Sequence, residues 1–583
     1  MGDGMQHRGR RRAGGVRSGG DRERGQHAWS IVRLLLVVAL LAGLAVGCGD
    51  DDDDDAAPDT GASTTAAAED TAATETTVAS DDTTADTEAT ADTGGGGVSE
   101  PDGVVGGEVT LLMFNEIQGL DPVRMTVSAG SDGQRAFALY GALLTFSSET
   151  GALDPLLAES FEPDDTFTTW TLTLRPDLVF SDGSVFDAAA VQANWARAQV
   201  ADNRSPAFGL ASGIASMEVT DPLTLVATLA TPNSQFGVAM ARSSLNYIAS
   251  AEAIAAGHDL VNDPIGAGPY VLEEWLRDDH MTLARNPDWF DAPRPYIDRI
   301  TLRTVIDNQQ RADTFASGDA DGMYSNDPQS WQPLVDDGAT RVSAQVSSGQ
   351  ALVFNASTAP FDDVRLRQVV SLAVDRHAAV DIMFGDEAHT ADAFTAPDSP
   401  WYDPAADLPE LDTEAAQALL DEIVAESGPV SATLLTQARQ QVIAEFIQSS
   451  LNQLDGIEVQ IESTDDPTLI TNVTQGNYQF AMWGFPWLNP DPGLYNPLRS
   501  GLPTNYSRYE NADVDAALDG ARATDDQDER AGLYAEVFAQ VVVDMPYLPL
   551  RDPDNGYVLD PSVVGGHVYE DGILRVDLIS LAE

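Results

Sequence analysis

The 583-residue chain contains no lysine, so all 31 of its basic side chains are arginines, set against 93 acids. Phosphate binding needs dense basic surface, and a formal charge of −62 argues against nucleic acid as a partner. A bare anionic membrane would repel the folded part for the same reason. There is one cysteine, Cys48, which excludes an intrachain disulfide and any CxxC zinc or iron–sulfur site. No HExxH, GxSxG or GxxxxGK motif occurs. Past the first fifty residues, His258, His280, His377, His389 and His567 are scattered without paired metal spacing. Neither an enzyme nor a resident cofactor or metal is indicated, and no internal repeat is present.

The charge is unevenly laid out. Residues 1–47 hold eight Arg against three acids, residues 49–103 hold seventeen acids and no base, and the remainder holds 23 Arg against 73 acids. The basic start leads into Leu34–Gly47, "LLLVVALLAGLAVG", too short to be a comfortable permanent span. A basic region, a short apolar core and small residues before a cleavage point describe an export signal, here of the general secretory kind. Asp50 to about Pro101 is Asp, Thr, Ala and Glu with few large apolar side chains, so it lacks the burial needed to offset its ordering entropy. As flexible chain, about 54 residues span roughly 40 Å, and the segment reads as a tether.

From Gly107 the texture is globular. "EVTLLMF" (Glu108–Phe114) predicts a strand, and the alternation in "TWTLTL" predicts a half-exposed antiparallel one. Asp187 is placed to cap a helix carrying Val191 and Trp195 four apart. "DDVRLRQVVSLAVDRHAAVDIMF" predicts a long helix or a pair, capped by Asp362 or Asp363, with Arg365 and Arg367 on different faces. "DTEAAQALLDEIVAES" and the segment Asn511–Met545 predict further amphipathic helices. Gly266 and Gly268 before Pro269 allow a tight, φ-permissive turn where the chain enters a strand. Interleaved strands and helices indicate an α/β fold in at least two lobes.

Several stretches, in order over about 430 residues, resemble the extracytoplasmic solute-binding proteins of the peptide/nickel ABC-transporter family: "GLDPVRM" (Gly119–Met125), "LDPLLAESFEPDD" (Leu153–Asp165), "WTLTLRPDLVFSDGSVFDAAAVQANWAR" (Trp170–Arg197), "PIGAGPYVLEEW" (Pro264–Trp275), "FNASTAPFDDVRLRQVVSLAVDR" (Phe354–Arg376), "WGFPWLNPDP" (Trp483–Pro492) and "YLPLR" (Tyr547–Arg551). The resemblance implies a bilobal fold of the type II periplasmic-binding-protein kind, with two hinge-connected lobes and an extra subdomain in the first. Its expected limits are a lipoprotein signal peptide over 1–47, a disordered acidic tether over 48–104, lobe I over 105–346, lobe II over 347–548 and a return to lobe I over 549–583. It also implies a monomer that captures a peptide-like solute between its lobes and delivers it to an ABC permease and ATPase complex, without chemistry. Ala45-Val46-Gly47-Cys48 resembles a lipobox, with Ala where Leu is commoner. Cleavage would leave Cys48 as a diacylglyceryl-bearing first residue, anchoring the exported protein on the outer face of the cell membrane.

The loop Met482–Asn496 carries Trp483, Phe485, Trp487 and Tyr495, and at least one tryptophan is expected to stack on solute. In peptide-binding members of that family this loop supplies an acid that pairs with the peptide's amino terminus. Here the position falls on Leu488 with Asn489 beside it, while Asp491 matches a later, structural acid. Leucine offers no charge-assisted bond to an ammonium. A non-peptide solute (a nickel complex, an oligosaccharide or another small organic) is therefore the alternative. Asn115, Glu116, Tyr324, Asn355 and Asn505 complete the expected solute contacts, and Asn326 is a further candidate; Tyr and Asn suit neutral hydroxyls or amides.

Overall fold

The computed structural model describes residues 103–127, 132–147, 152–385, 388–397, 399–569 and 572–583. The signal segment, Cys48 and the tether up to residue 102 lie outside the described residues. Gly103–Val104, within the limits expected for the tether, pairs antiparallel with the strand Ser580–Ala582.

Two sheets with separate apolar cores organise the rest. The first has seven strands, in the order Thr340–Gln345, Asp554–Leu559, Gly322–Ser325, Glu108–Met113, Arg299–Thr304, His280–Arg285 and Tyr270–Leu276. Its three central strands run parallel and the outer ones antiparallel. Leu111, Leu112 and Met113 are all fully buried, as a central strand covered on both faces requires. The second sheet has five strands, in the order Ile457–Thr464, Val430–Gln437, Phe480–Trp483, Gln350–Phe354 and Tyr547–Arg551, with the first three parallel.

A four-stranded antiparallel sheet (Ala158–Pro163, Thr169–Leu174, Thr224–Leu229, Ile214–Asp221) forms the subdomain of the first lobe. Thr169–Leu174 alternates half-buried and buried residues, and every inward side chain joins the core. Asp187 accepts from the Ala190 N–H and starts helix Ala188–Ala198, whose Val191 and Trp195 are fully buried. Trp195, Trp170, Phe161 and Phe236 then meet in mostly edge-on contacts 4.9–6.3 Å apart, an aromatic nucleus continuous with the first core.

The 364–384 segment is a pair of helices, Val364–Ala373 and Arg376–Phe384, capped by Asp363 and Asp375. Arg365 pairs with Asp363 and Glu426, while Arg367 turns inward to the carbonyls of Asp544 and Phe361. Asn511–Met545 likewise divides into Ala512–Arg522 and Gln527–Asp544. Neither Gly266 nor Gly268 has positive φ, and the chain bends at Gly268–Pro269 into strand Tyr270–Leu276. They are small because a Cβ at either would strike the backbone of residues 138–140.

The chain passes from the first sheet to the second between Gln345 and Gln350, and back between Arg551 and Asp554. The return comes after Arg551, not after Leu548: "YLPLR" is still an edge strand of the second sheet.

Candidate functional site

In open sheets of this kind, ligands sit beyond the carboxyl ends of the parallel strands. Those ends in the first sheet deliver Phe114–Glu116, Val305–Asn308 and Asn326–Asp327 toward the crossovers. In the second they deliver Ala438–Gln441, Asp465–Asp466 and Gly484–Asn489, since Trp483 pairs with Ala351 next to the crossover. Asn115, Glu116, Trp483, Trp487, Leu488 and Asn489 are thus brought to the crossover side.

The crossovers are short and fastened. Val346 N–H donates to the Pro553 carbonyl at 3.0 Å, and Ser348 N–H to the buried Asp552 carboxylate at 2.7 Å. The loop after Trp483 is pinned to the same point. Phe485 N–H donates to Ser348 O, and Ser347 and Trp487 exchange two backbone bonds at 2.9 and 3.1 Å. A Cβ on Gly484 would collide with the Gly349 carbonyl, so only glycine permits this approach.

Two buried arginines, Arg311 and Arg551, and the half-buried Arg341 hold the carboxyl end of strand Gly322–Ser325. Arg311 Nε donates to Tyr324 O at 2.7 Å, Arg341 Nη2 to Ser325 O at 2.9 Å, and Arg551 Nη2 to Asn326 O. Three consecutive carbonyls at the end of one strand thereby receive guanidinium donors from a helix, an edge strand and the second sheet. Burial pulls all three guanidinium pKa values down to about 10. Sequence reading missed this set, because its members are 30 and 210 residues apart and share no motif.

The expected contacts fare differently. Trp487 is fully buried in the second core with its indole N–H unpartnered, so it is wall and not platform. Phe485 packs on Tyr547 at 4.7 Å, and Tyr495 lies under the Arg522 guanidinium at 3.1 Å. Trp483 alone among the loop's two tryptophans keeps partial exposure, edge-on to Tyr506 at 5.7 Å. Leu488 is half-buried. Asn489 is buried, and its side-chain Oδ1 accepts the Asp491 N–H as a cap. Asp491 is buried and bidentate with Arg522, Nη2 to Oδ1 at 2.7 Å, as a structural acid should be.

On the first sheet, the Asn115 side-chain oxygen is buried without a partner, while its backbone carbonyl takes Arg135 at 3.2 Å. Both Glu116 oxygens are engaged, by Trp275 Nε1 at 3.1 Å and Thr304 Oγ1 at 3.2 Å. Tyr324 is buried and stacked on Phe114 at 4.9 Å, and the Asn326 amide donates to Asn555 at 3.2 Å.

Asn355 and Asn505 lie away from the crossovers. Strand Gln350–Phe354 advances about 3.3 Å per residue, which puts Asn355 about 13 Å beyond Ala351, at the end away from the crossovers. Its amide donates to the carbonyls of Gly476 and Tyr478 at 2.9 and 3.0 Å, and its oxygen accepts from Ser357. Asn505 is fixed alike by Tyr509 O at 2.8 Å and the Ser507 hydroxyl at 2.8 Å. A cavity of about 700 Å³ opens at this far end, lined by Asn505, Arg367, Arg508, Tyr509 and Asp544, but both arginines are spent on backbone carbonyls.

Two sheets with separate cores, joined by two short crossovers and offering loops to each other, define a type II periplasmic binding protein. The chain belongs to the bacterial extracellular solute-binding proteins, family 5, whose family model matches residues 152–505. It is 30% identical over 420 residues to the glutathione-binding protein GsiB of Salmonella paratyphi A (strain ATCC 9150 / SARB42), covering 68% of this chain and 80% of that one. Its fold is similar to that of AgaA from A.tumefacien R10, solved in complex with agropinic acid, with TM-score 0.72 and 23% identity over 82% of this chain and 99% of that one. DppA from Helicobacter pylori, solved with the peptide STSA, gives the same TM-score at 22% identity and the same coverage.

Proposed function

We propose that this chain is the solute-capturing component of an ABC importer, closing its two lobes around one small peptide-like solute and presenting it to a permease and ATPase complex. The observation that carries the reading is the convergence of loops from two independently cored sheets onto two short crossovers, Gln345–Gln350 and Arg551–Asp554. Such segments absorb a hinge rotation while each core stays intact. Trp483, Leu488 and Asn115 are the side chains best placed to meet solute. The relatives named for glutathione and for a bound peptide fit a solute with amide groups, which the unpartnered Asn115 oxygen would accept from.

Leu488 supports a second reading. Without an acid at that position a free ammonium gains no charge-assisted bond, and a non-peptide small organic solute fills the same cleft at less cost. Cys48 is proposed as the lipid attachment site, with the acidic tether holding a monomeric binding unit off the outer face of the membrane. Among the described residues no helix is long and apolar enough to cross a membrane.

The test is thermal unfolding with glutathione, tri- and tetrapeptides, opines and oligosaccharides. A captured solute at 100 times its Kd should add about 2.7 kcal/mol of stability. Absence of any shift across the panel would sink the capture reading. Leu488→Asp should raise affinity for short peptides by about tenfold, equivalent to roughly 1.4 kcal/mol, as a charge-assisted contact predicts. Unchanged peptide binding would mean that Leu488 does not face the amino terminus.

A further inference from the structure

The subdomain of the first lobe hydrogen-bonds to the second lobe at Ser234, next to helix Phe236–Ala241, which itself approaches Pro490–Gly493. Ser234 lies between strand Thr224–Leu229 and helix Phe236–Ala241, two elements that contribute side chains to the first core. Its N–H donates to the Arg522 carbonyl at 2.7 Å and its hydroxyl to the Thr524 carbonyl at 2.6 Å. Both acceptors are carbonyls at the C-terminal end of helix Ala512–Arg522 in the second lobe, where the helix itself leaves backbone oxygens without partners. The two bonds join residues 288 and 290 apart in sequence with no covalent path except the distant crossovers, so they form and break with lobe separation.

Arg522 extends the contact inward. Its guanidinium holds Asp491 bidentately and rests on the Tyr495 ring, and both residues belong to the loop that follows Trp483 and Leu488. That loop is pinned at its other end to Ser347 and Ser348 of the crossover. The segment expected to meet solute is thus strung between the crossover and the Ser234 contact.

We propose that Ser234 is a positioning residue for solute capture: it reads lobe closure at the helix end and, through Arg522 and Asp491, fixes the loop carrying Trp483 and Leu488 in its closed setting. The geometry separates it from an ordinary surface serine. Gln235 Nε2 donates to the Ser234 hydroxyl at 3.2 Å, orienting the O–H toward Thr524, and Asn233 and Gln235 on either side are buried. The inference rests on the capture reading only in taking closure as its working step.

The test measures closure directly, without solute, so failure of capture and failure of this contact are told apart. The full chain carrying Cys48→Ser would be spin-labelled at the exposed positions Asp165→Cys and Asp528→Cys, and inter-lobe distances read by double electron–electron resonance. Losing one hydrogen bond should lower the ratio of closed to open molecules about fivefold in Ser234→Ala. Ser234→Thr, which keeps the hydroxyl, should restore the wild-type distribution. The melting temperature of Ser234→Ala should stay unchanged, since the residue adds nothing to either core. Identical distance distributions in wild type and Ser234→Ala would overturn the proposal, and so would Ser234→Thr opening as far as Ser234→Ala.

Discussion

The two ends of the second sheet are built from similar residues and do different work. At the far end, Asn355, Ser357, Asn505 and Ser507 bond to one another's loops and to neighbouring carbonyls until no amide is left over. At the crossover end, the loop after Trp483 is held by main-chain pairing to Ser347 and Ser348, which leaves Trp483 and Leu488 partly uncovered. Asparagine and tyrosine therefore do not mark a binding loop by themselves. What distinguishes the two ends is whether the fastening consumes the polar side chains or leaves part of the loop uncovered.

The largest effect that can break this comparison is at Arg522. Arg522→Ala leaves the Asp491 carboxylate buried and unpaired, which should cost about 3–5 kcal/mol. Hydrogen exchange should accelerate first in residues 483–493 while the Asn505–Tyr509 turn keeps its protection; uniform loss at both ends would mean the loop has no independent fastening. Next in size is an exchange of phenotypes. Asn355→Ala strands one buried and one half-buried carbonyl and should destabilise the second lobe by about 1–3 kcal/mol with solute affinity intact. Trp483→Ala should weaken solute binding with a smaller stability loss. Denaturant melts and calorimetric titration of both variants would expose a reversed pattern.

The smallest effect sharpens the far end. Arg365, by hydrogen bonding, holds the Asp363 carboxyl below the usual carboxylate range, and the same carboxylate caps helix Val364–Ala373. A depressed folded pKa means the stabilisation is complete above the unfolded value of about 3.9 and fades as pH falls through the folded one. Asp363→Asn should cost about 1 kcal/mol near neutral pH, and the difference from wild type should shrink below about pH 3.9. A pH-independent difference would assign the loss to capping geometry alone.

Much of the fold was legible because it follows from local rules. The strand at Glu108–Met113, the alternating strand at Thr169–Leu174 and the caps at Asp187 and Asp363 each depend on period or on one side chain a few residues from its backbone partner. The site was less legible. Asn355 and Asn505 read as ligand contacts because an asparagine that satisfies distant carbonyls looks the same in sequence as one facing a solute. Glu116 lies on the crossover side of the sheet, but Trp275 and Thr304, about 160 and 190 residues away, occupy its oxygens.

The sequence by itself determined the order of elements, the α/β class and the departure at Leu488, because composition, period and motif order are properties of the chain alone. Tertiary structure decided which loops share a face, why Gly266 and Gly268 are small, and that Ser234 meets the helix end at Arg522. Those facts are contacts between segments far apart in the chain, and no local preference encodes which distant backbone will arrive beside a given residue.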